Sequence, residues 1–220
     1  MELKGKKINF LGDSITAGAG VSCPENVFHQ VMKRKYGLSE ARNYGVGGSR
    51  FAKQINRAET EPEEWDFCYR AEQMDKDADV VVVFGGTNDF GHGDAPIGTF
   101  DDRERTTFYG ACHQLFRYLM TEYSDAVIVV CTPLHRLREE YTNGDNHQKR
   151  YNYGNLKKYV DIIREVAEYY SVPMIDFYKN SLIQPNVEIN RVKYIPDGLH
   201  PNDAGHAIMA ERIGNFLLSY

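Results

Sequence analysis

The sequence predicts an α/β fold, a parallel sheet with helices on both faces, and three observations point there. Short apolar runs alternate with amphipathic stretches along the whole chain. The run Val80 to Phe84 is unbroken and mostly β-branched, as a strand buried on both faces requires. Val127 to Val130 has the same character.

The elements follow in order. Ile8, Phe10 and Leu11 end a first strand just before Gly12. Val27 and Val31, with Phe28 and Met32 beside them, mark a helix, and Arg42 to Tyr44 reads as a weaker strand. After the strand at Val80 to Phe84, the residues Phe108, Cys112, Leu115 and Leu119 trace one helical face. Val127 to Val130 is the fourth strand. Leu156, Val160, Ile163, Ala167 and Tyr170, in steps of four, three, four and three, form the next helix. Val172 to Ile175 is a short fifth strand. Ile208, Met209, Ile213, Phe216 and Leu217 mark a last helix, expected to start near Asn202 as N-cap. Residues 131–155, rich in His, Arg, Tyr, Asn and Gly, read as a long loop over an active site. No repeat, low-complexity tract or linker divides the chain, so one domain spanning 1–220 is expected.

Composition narrows the function classes. The 220 residues are 42% hydrophobic and 26% charged, with a formal net charge of −5 and no concentrated basic run, which speaks against nucleic-acid binding. No apolar run approaches a membrane span. The N-terminus lacks the apolar stretch and small-residue cleavage site of a signal peptide, and no N-x-[ST] acceptor occurs, so a cytoplasmic location is expected. Cys23, Cys68, Cys112 and Cys131 lie far apart without a C-x-x-C pair, which favours reduced thiols over a metal or redox site.

Four segments carry the chemistry, three directly after a strand and one before the last helix. In an open parallel sheet, the loops beyond the strands' carboxyl ends converge on one crevice. Gly12-Asp13-Ser14-Ile15-Thr16 puts a serine at the tip of a strand-to-helix turn that Gly12 relieves of crowding. Asn43-Tyr44-Gly45-Val46-Gly47-Gly48-Ser49-Arg50 can point backbone N–H groups at an anion. It is no dinucleotide fingerprint, because Arg50 takes the last glycine position of G-x-G-x-x-G. Gly85-Gly86-Thr87-Asn88-Asp89 can aim the Asn88 amide into the crevice, or use it in a local Asx-turn. In Asp197-Gly198-Leu199-His200-Pro201 the carboxylate can hold the His200 Nδ1–H and leave Nε2 free as a base.

Together these supply a nucleophile (Ser14), a base with its orienting acid (His200 and Asp197), and three oxyanion donors. The donors are the backbone N–H groups of Ser14 and Gly48 and the side-chain amide of Asn88. Acyl transfer needs this set, because a serine hydroxyl is a poor nucleophile until a base takes its proton, and the tetrahedral intermediate needs donors already in place.

At these residues the chain resembles the SGNH hydrolases, also called GDSL esterases and lipases. Ser14 lies in the Gly-Asp-Ser block, Gly48 lies five residues beyond Asn43, Asn88 lies in Gly-x-Asn-Asp form, and Asp197 with His200 forms Asp-x-x-His. The blocks run in family order from residue 12 to 201. The resemblance implies a three-layer α/β/α flavodoxin-like sandwich with a central parallel five-stranded sheet. It implies hydrolysis of esters, thioesters or acetylated sugars, with neither metal nor cofactor. Thr16 separates the block from the G-x-S-x-G elbow of α/β-hydrolases. The polar loops tilt the reading toward short acyl groups on a polar alcohol such as a carbohydrate. The partner expected is therefore a small-molecule ester or acetylated sugar. A non-catalytic carbohydrate binder and a flavin or nucleotide binder are the rivals. Phe90, His92, Phe100, His135, Arg136, Tyr141, Tyr151 and Tyr153 either line a sugar cleft or belong to ordinary loop packing. His92, His135 and His147 lack metal-ligand spacing.

Overall fold

The computed structural model describes residues 1–56, 65–151 and 153–220. Along the chain these form β1 (Lys7–Gly12), α1 (Ser14–Ala17), α2 (Phe28–Tyr36), β2 (Glu40–Gly45), α3 (Phe67–Glu72), β3 (Val80–Phe84) and α4 (Thr87–Gly91). There follow α5 (Phe108–Glu122), β4 (Val127–Cys131), α6 (Leu156–Tyr169), β5 (Met174–Ile175), α7 (Phe177–Asn180), α8 (Glu188–Tyr194) and α9 (Asp203–Leu218). The strands form one sheet in the order β2-β1-β3-β4-β5, and every pairing is parallel.

Parallel strands need crossovers, and here the crossovers cover both faces. Alternation along β3 shows how. Val81 and Val83 join a core with Phe67 of α3, Leu115 of α5 and Ile163 of α6. Val80, Val82 and Phe84 join the opposite core with Phe28 and Met32 of α2 and Met209 and Ile213 of α9. Burying each such side chain is worth about 1.5–3 kcal/mol, which is why β3 is apolar throughout. The expected three-layer α/β/α sandwich is therefore the observed one.

Register places the site. Gly45 of β2 stands beside Gly12 of β1, Gly12 beside Phe84 of β3, Phe84 beside Cys131 of β4, and Cys131 beside Ile175 of β5. All five strands end at one level. The chain leaves β1 for β2 on one side and returns to β3 on the other, so the crevice opens between β1 and β3.

Element limits differ from expectation in places. The fifth strand is Met174–Ile175, not Val172 to Ile175, because Pro173 has no N–H and only its carbonyl joins the sheet, accepting from Val130 N–H at 3.0 Å. The weak second strand extends to Glu40–Gly45. Asn202 caps α9, its Oδ1 accepting from Ala204 and Gly205 N–H. Residues 131–155 are irregular as expected after β4 ends, apart from a 3-10 turn at Asp145–His147, with Asn152 outside the described residues. The short helices α1, α3, α4, α7 and α8 carry too few turns for a periodic signal.

Candidate active site

The turn that carries Ser14 is built from β1 outward. Asp13 caps α1, its Oδ1 accepting from Ile15 N–H at 3.0 Å, and the Asp13 carbonyl accepts from Ala17 N–H at 2.9 Å. Ser14 is thus the first residue of a helix, and a first helical N–H has no intrahelical acceptor. A Cβ on Gly12 would collide with the Thr16 side chain and approach the Phe84 carbonyl to 2.9 Å, so only glycine permits the turn. Ser14 is half-buried at this tip.

The glycine loop after β2 folds over the serine. A Cβ on Gly47 would lie 3.8 Å from that of Ser14. Gly48 has φ +76° with open space around it, so backbone conformation rather than crowding selects glycine there. The next residue receives α4. Asn88 Nδ2 donates to the Ser49 carbonyl at 3.1 Å, a reach across the crevice rather than a local Asx-turn. An amide nitrogen has two protons, so this bond leaves a second donor. Asp89 holds the following residues, accepting from Phe51 N–H at 2.9 Å and Ala52 N–H at 3.0 Å. Burial pushes its carboxyl up to about 6 against those two bonds.

The turn that carries Asp197 and His200 arrives from the opposite end of the chain. Ser14 Oγ and His200 Nε2 are 3.0 Å apart, and His200 Nδ1 and Asp197 Oδ2 are 2.8 Å apart. The other Asp197 oxygen accepts from Leu199 N–H at 2.8 Å and His200 N–H at 2.7 Å. One carboxylate therefore shapes the turn and orients the ring. Burial acts to raise the Asp197 carboxyl, but the His200 and Leu199 amides and the His200 ring hold it below its usual value. Gly198 has φ +81°, and a Cβ there would run into the Leu137 side chain. The Leu137 N–H donates to the Gly198 carbonyl at 2.8 Å, tying the loop after β4 to this turn.

Residues 10–208 match the model of the GDSL-like lipase/acylhydrolase family. The chain belongs to this family. An acetylxylan esterase of Xylanibacter ruminicola is 25% identical over 230 residues, covering 94% of this chain and 42% of that protein. The chain thus spans less than half the length of that curated relative. A solved structure from Lactobacillus plantarum superposes with a TM-score of 0.83 at 28% identity, over 99% of this chain and 98% of the other. An acetyl xylan esterase structure, AlAXEase, superposes at 0.63 with 21% identity, over 95% and 98%, a likeness of fold.

In this GDSL-family chain the structure brings Ser14, His200 and Asp197 together, with Gly48 on the loop after β2 and Asn88 in the first turn of α4. The surrounding aromatic and polar residues divide. Phe90 is core, and Phe100 packs edge-on against His113 and Tyr169. His135 bonds Glu139, and Tyr141 stacks on His147. His92, Tyr151 and Tyr153, with Asn56, Asp94 and Gln148, line a cavity of about 430 Å³. Among the described residues no group of His, Cys, Asp and Glu could hold a metal, and no helix is long and apolar enough to cross a membrane. The four cysteines are free.

Two buried cations, Lys149 and Arg70, escaped the sequence reading, and a third, Arg136, proves to be loop packing. Arg136 donates to the Thr87 carbonyl and hydroxyl at 3.3 Å each and to Asp145 at 2.5 Å. Lys149 Nζ donates to the carbonyls of Asp89 at 2.6 Å and Phe90 at 3.1 Å, and to the Tyr159 hydroxyl at 2.8 Å. Burial pushes this amine down to about 8. Arg70 donates to Ser49 Oγ at 2.8 Å, to the Gly12 carbonyl at 3.0 Å and to the Tyr44 carbonyl. Their partners are mostly backbone carbonyls distant in sequence, which no motif records.

Proposed function

We propose that the protein is a serine ester hydrolase that removes short acyl groups, acetyl foremost, from a carbohydrate alcohol. The observation that carries this reading is the 3.0 Å approach of Ser14 Oγ to an imidazole whose far nitrogen lies 2.8 Å from a carboxylate. His200 Nε2 takes the Ser14 proton as Oγ attacks the ester carbonyl, and Asp197 keeps the ring in the productive tautomer. The carbonyl oxygen becomes an oxyanion met by the N–H groups of Ser14 and Gly48 and the Asn88 amide. Collapse expels the alcohol, which receives the proton from His200 and leaves an acyl-Ser14. Water, deprotonated by the same nitrogen, then releases the acid.

The acetyl and carbohydrate parts rest on the acetylxylan esterase relative, and the cavity just beyond α4 adds Asn56, Asp94 and Gln148 as hydrogen-bonding groups and Tyr151 and Tyr153 as aromatic faces suited to a sugar. The test is a panel of p-nitrophenyl esters of increasing chain length beside acetylated xylo-oligosaccharides. The expected result is a fall in kcat/KM beyond acetate or propionate, and acetate release from the sugars. A serine-directed phosphonate should add to Ser14, and Ser14→Ala should lose both adduct and turnover while folding normally. Labelling elsewhere, with Ser14→Ala still active, would refute the mechanism. Sugar binding without any ester turnover would favour the non-catalytic binder instead.

A further inference from the structure

Arg70 lies on α3, whose N-cap Asp66 accepts from Tyr69 N–H at 2.9 Å. Its side chain is carried under the crevice, buried to 9% exposure, with its guanidinium 5.2 Å from the Phe67 ring centroid. Burying a cation is costly unless every donor finds work. Here the work is specific. The Gly12 carbonyl, two residues before Ser14, accepts from one guanidinium nitrogen, which also reaches the Tyr44 carbonyl at the end of β2. The other nitrogen donates to Ser49 Oγ, the neighbour of Gly48. The Ser49 hydroxyl in turn donates to the Val46 carbonyl at 2.7 Å, and the Ser49 carbonyl holds the Asn88 amide at 3.1 Å.

Each proposed oxyanion donor therefore lies within two residues of a group bonded to Arg70, or is bonded to Ser49 itself. The sheet register sets the depth of Gly12, Gly45 and Phe84, but not the depth of the loops beyond them. We propose that Arg70 is a positioning residue of the acyl-transfer site, a buried fork that holds the Ser14, Gly48 and Asn88 donors in mutual register. This rests on the serine esterase reading above. It touches no substrate and acts through Gly12 and Ser49. The planar fork reaches these acceptors from two separate nitrogens in a fixed plane, whereas a lysine ammonium donates from a single point and cannot reproduce that spread. Burial pushes the guanidinium down to about 10, with the charges of Asp13 and Asp66 opposing, so it remains a cation at neutral pH.

The experiment is a double-mutant cycle on p-nitrophenyl acetate. Arg70→Lys should lower kcat on the order of 10- to 100-fold, the scale of misplaced rather than missing donors, and leave KM within about threefold. Combining it with Asn88→Ala should cost far less than the product of the two single losses, because both act on one hole. A merely structural arginine would lower the folded fraction, seen in circular dichroism and melting, with kcat per folded molecule unchanged and the two losses multiplying. Should Arg70→Lys fail to fold, Ser49→Ala removes one end of the same bridge and leaves the cation. It should lower kcat about 3- to 10-fold, again non-additively with Asn88→Ala. Normal kcat in either folded variant, or fully multiplying losses, overturns the proposal. If wild type takes phosphonate on Ser14 and these results fail, only the role of Arg70 falls. If Ser14 takes none, the esterase reading falls with it.

Discussion

Asp13 and Asp197 both border Ser14, one beside it in the chain and one through the His200 ring, and their surroundings are opposite. Asp13 is 1% exposed, and burial pushes its carboxyl up to about 6 against the Ile15 amide and the charges of His200 and Arg70. The Asp197 side chain is 54% exposed, and three hydrogen bonds hold it below its usual value. The side that carries the proposed oxyanion donors is thus set by buried polar bonds running between sequence-distant segments. The side that carries His200 is a compact turn at the surface, shaped by Asp197 and Gly198 and tied to the loop after β4 through Leu137. Damage to the second should cost chemistry with little stability, whereas damage to the first should cost both.

The largest expected effect is on the exposed side. Asp197→Asn keeps an oxygen to accept from the Leu199 and His200 amides but removes the charge and the tautomer preference. It should lower kcat by up to roughly 10⁴, on the precedent of serine-protease triads, with little change in Tm. Steady-state kinetics and calorimetry on one preparation check this, and a large fall in Tm would erase the contrast between the two sides.

Asn88→Ala tests the buried side. Loss of one oxyanion donor is expected to cost on the order of 10²–10³ in kcat. Because Asn88 Nδ2 also ties the Ser49 carbonyl, Tm should fall as well, by the equivalent of about 1–3 kcal/mol for the acceptor left without its partner. Wild-type kcat in this variant would return Asn88 to a purely local role.

The smallest effect joins the two sides. His29 Nε2–H donates to the Thr16 carbonyl of α1 at 3.1 Å, and His206 Nδ1 accepts from Phe28 N–H at 3.2 Å. Burial pushes both down to about 4. The folded protein resists protonating them while the unfolded chain does not, so the stability they allow at neutral pH is lost as pH falls from about 6.5 toward 4. Asp13 and Asp89, raised to about 6, act in the reverse sense but equally in wild type and variant. His206→Asn should therefore destabilise at pH 7 by a packing penalty that shrinks by about 2 kcal/mol at pH 5. Denaturant melts at the two values measure it, and a pH-independent penalty would mean that the fold does not resist protonation of His206.

The difference between the two sides also explains what was legible. Asp197, Gly198 and His200 act within one turn, so a short motif contains the whole device. Gly12, Gly48 and Asn88 were visible because each sits at a strand end or in a glycine loop with a recognisable pattern. Arg70 and Lys149 were not, since a cation that bonds carbonyls brought together only by folding leaves no spacing to read. The sheet was legible from β3 and β4, whose apolar runs are unambiguous. The fifth strand was overdrawn because periodicity does not register that Pro173 cannot donate.

The loop after β4 clasps both sides at once. Leu137 holds Gly198 at the turn that carries His200, Arg136 holds Thr87 at the start of α4, and Lys149 holds Asp89 and Phe90 further along that helix. In engineering terms the segment is a cassette. A graft from a relative that replaces only its middle would leave one of these anchors facing a partner shaped for another chain. Specificity inherited through this loop would therefore move as a whole, with the geometry of base and donor travelling together.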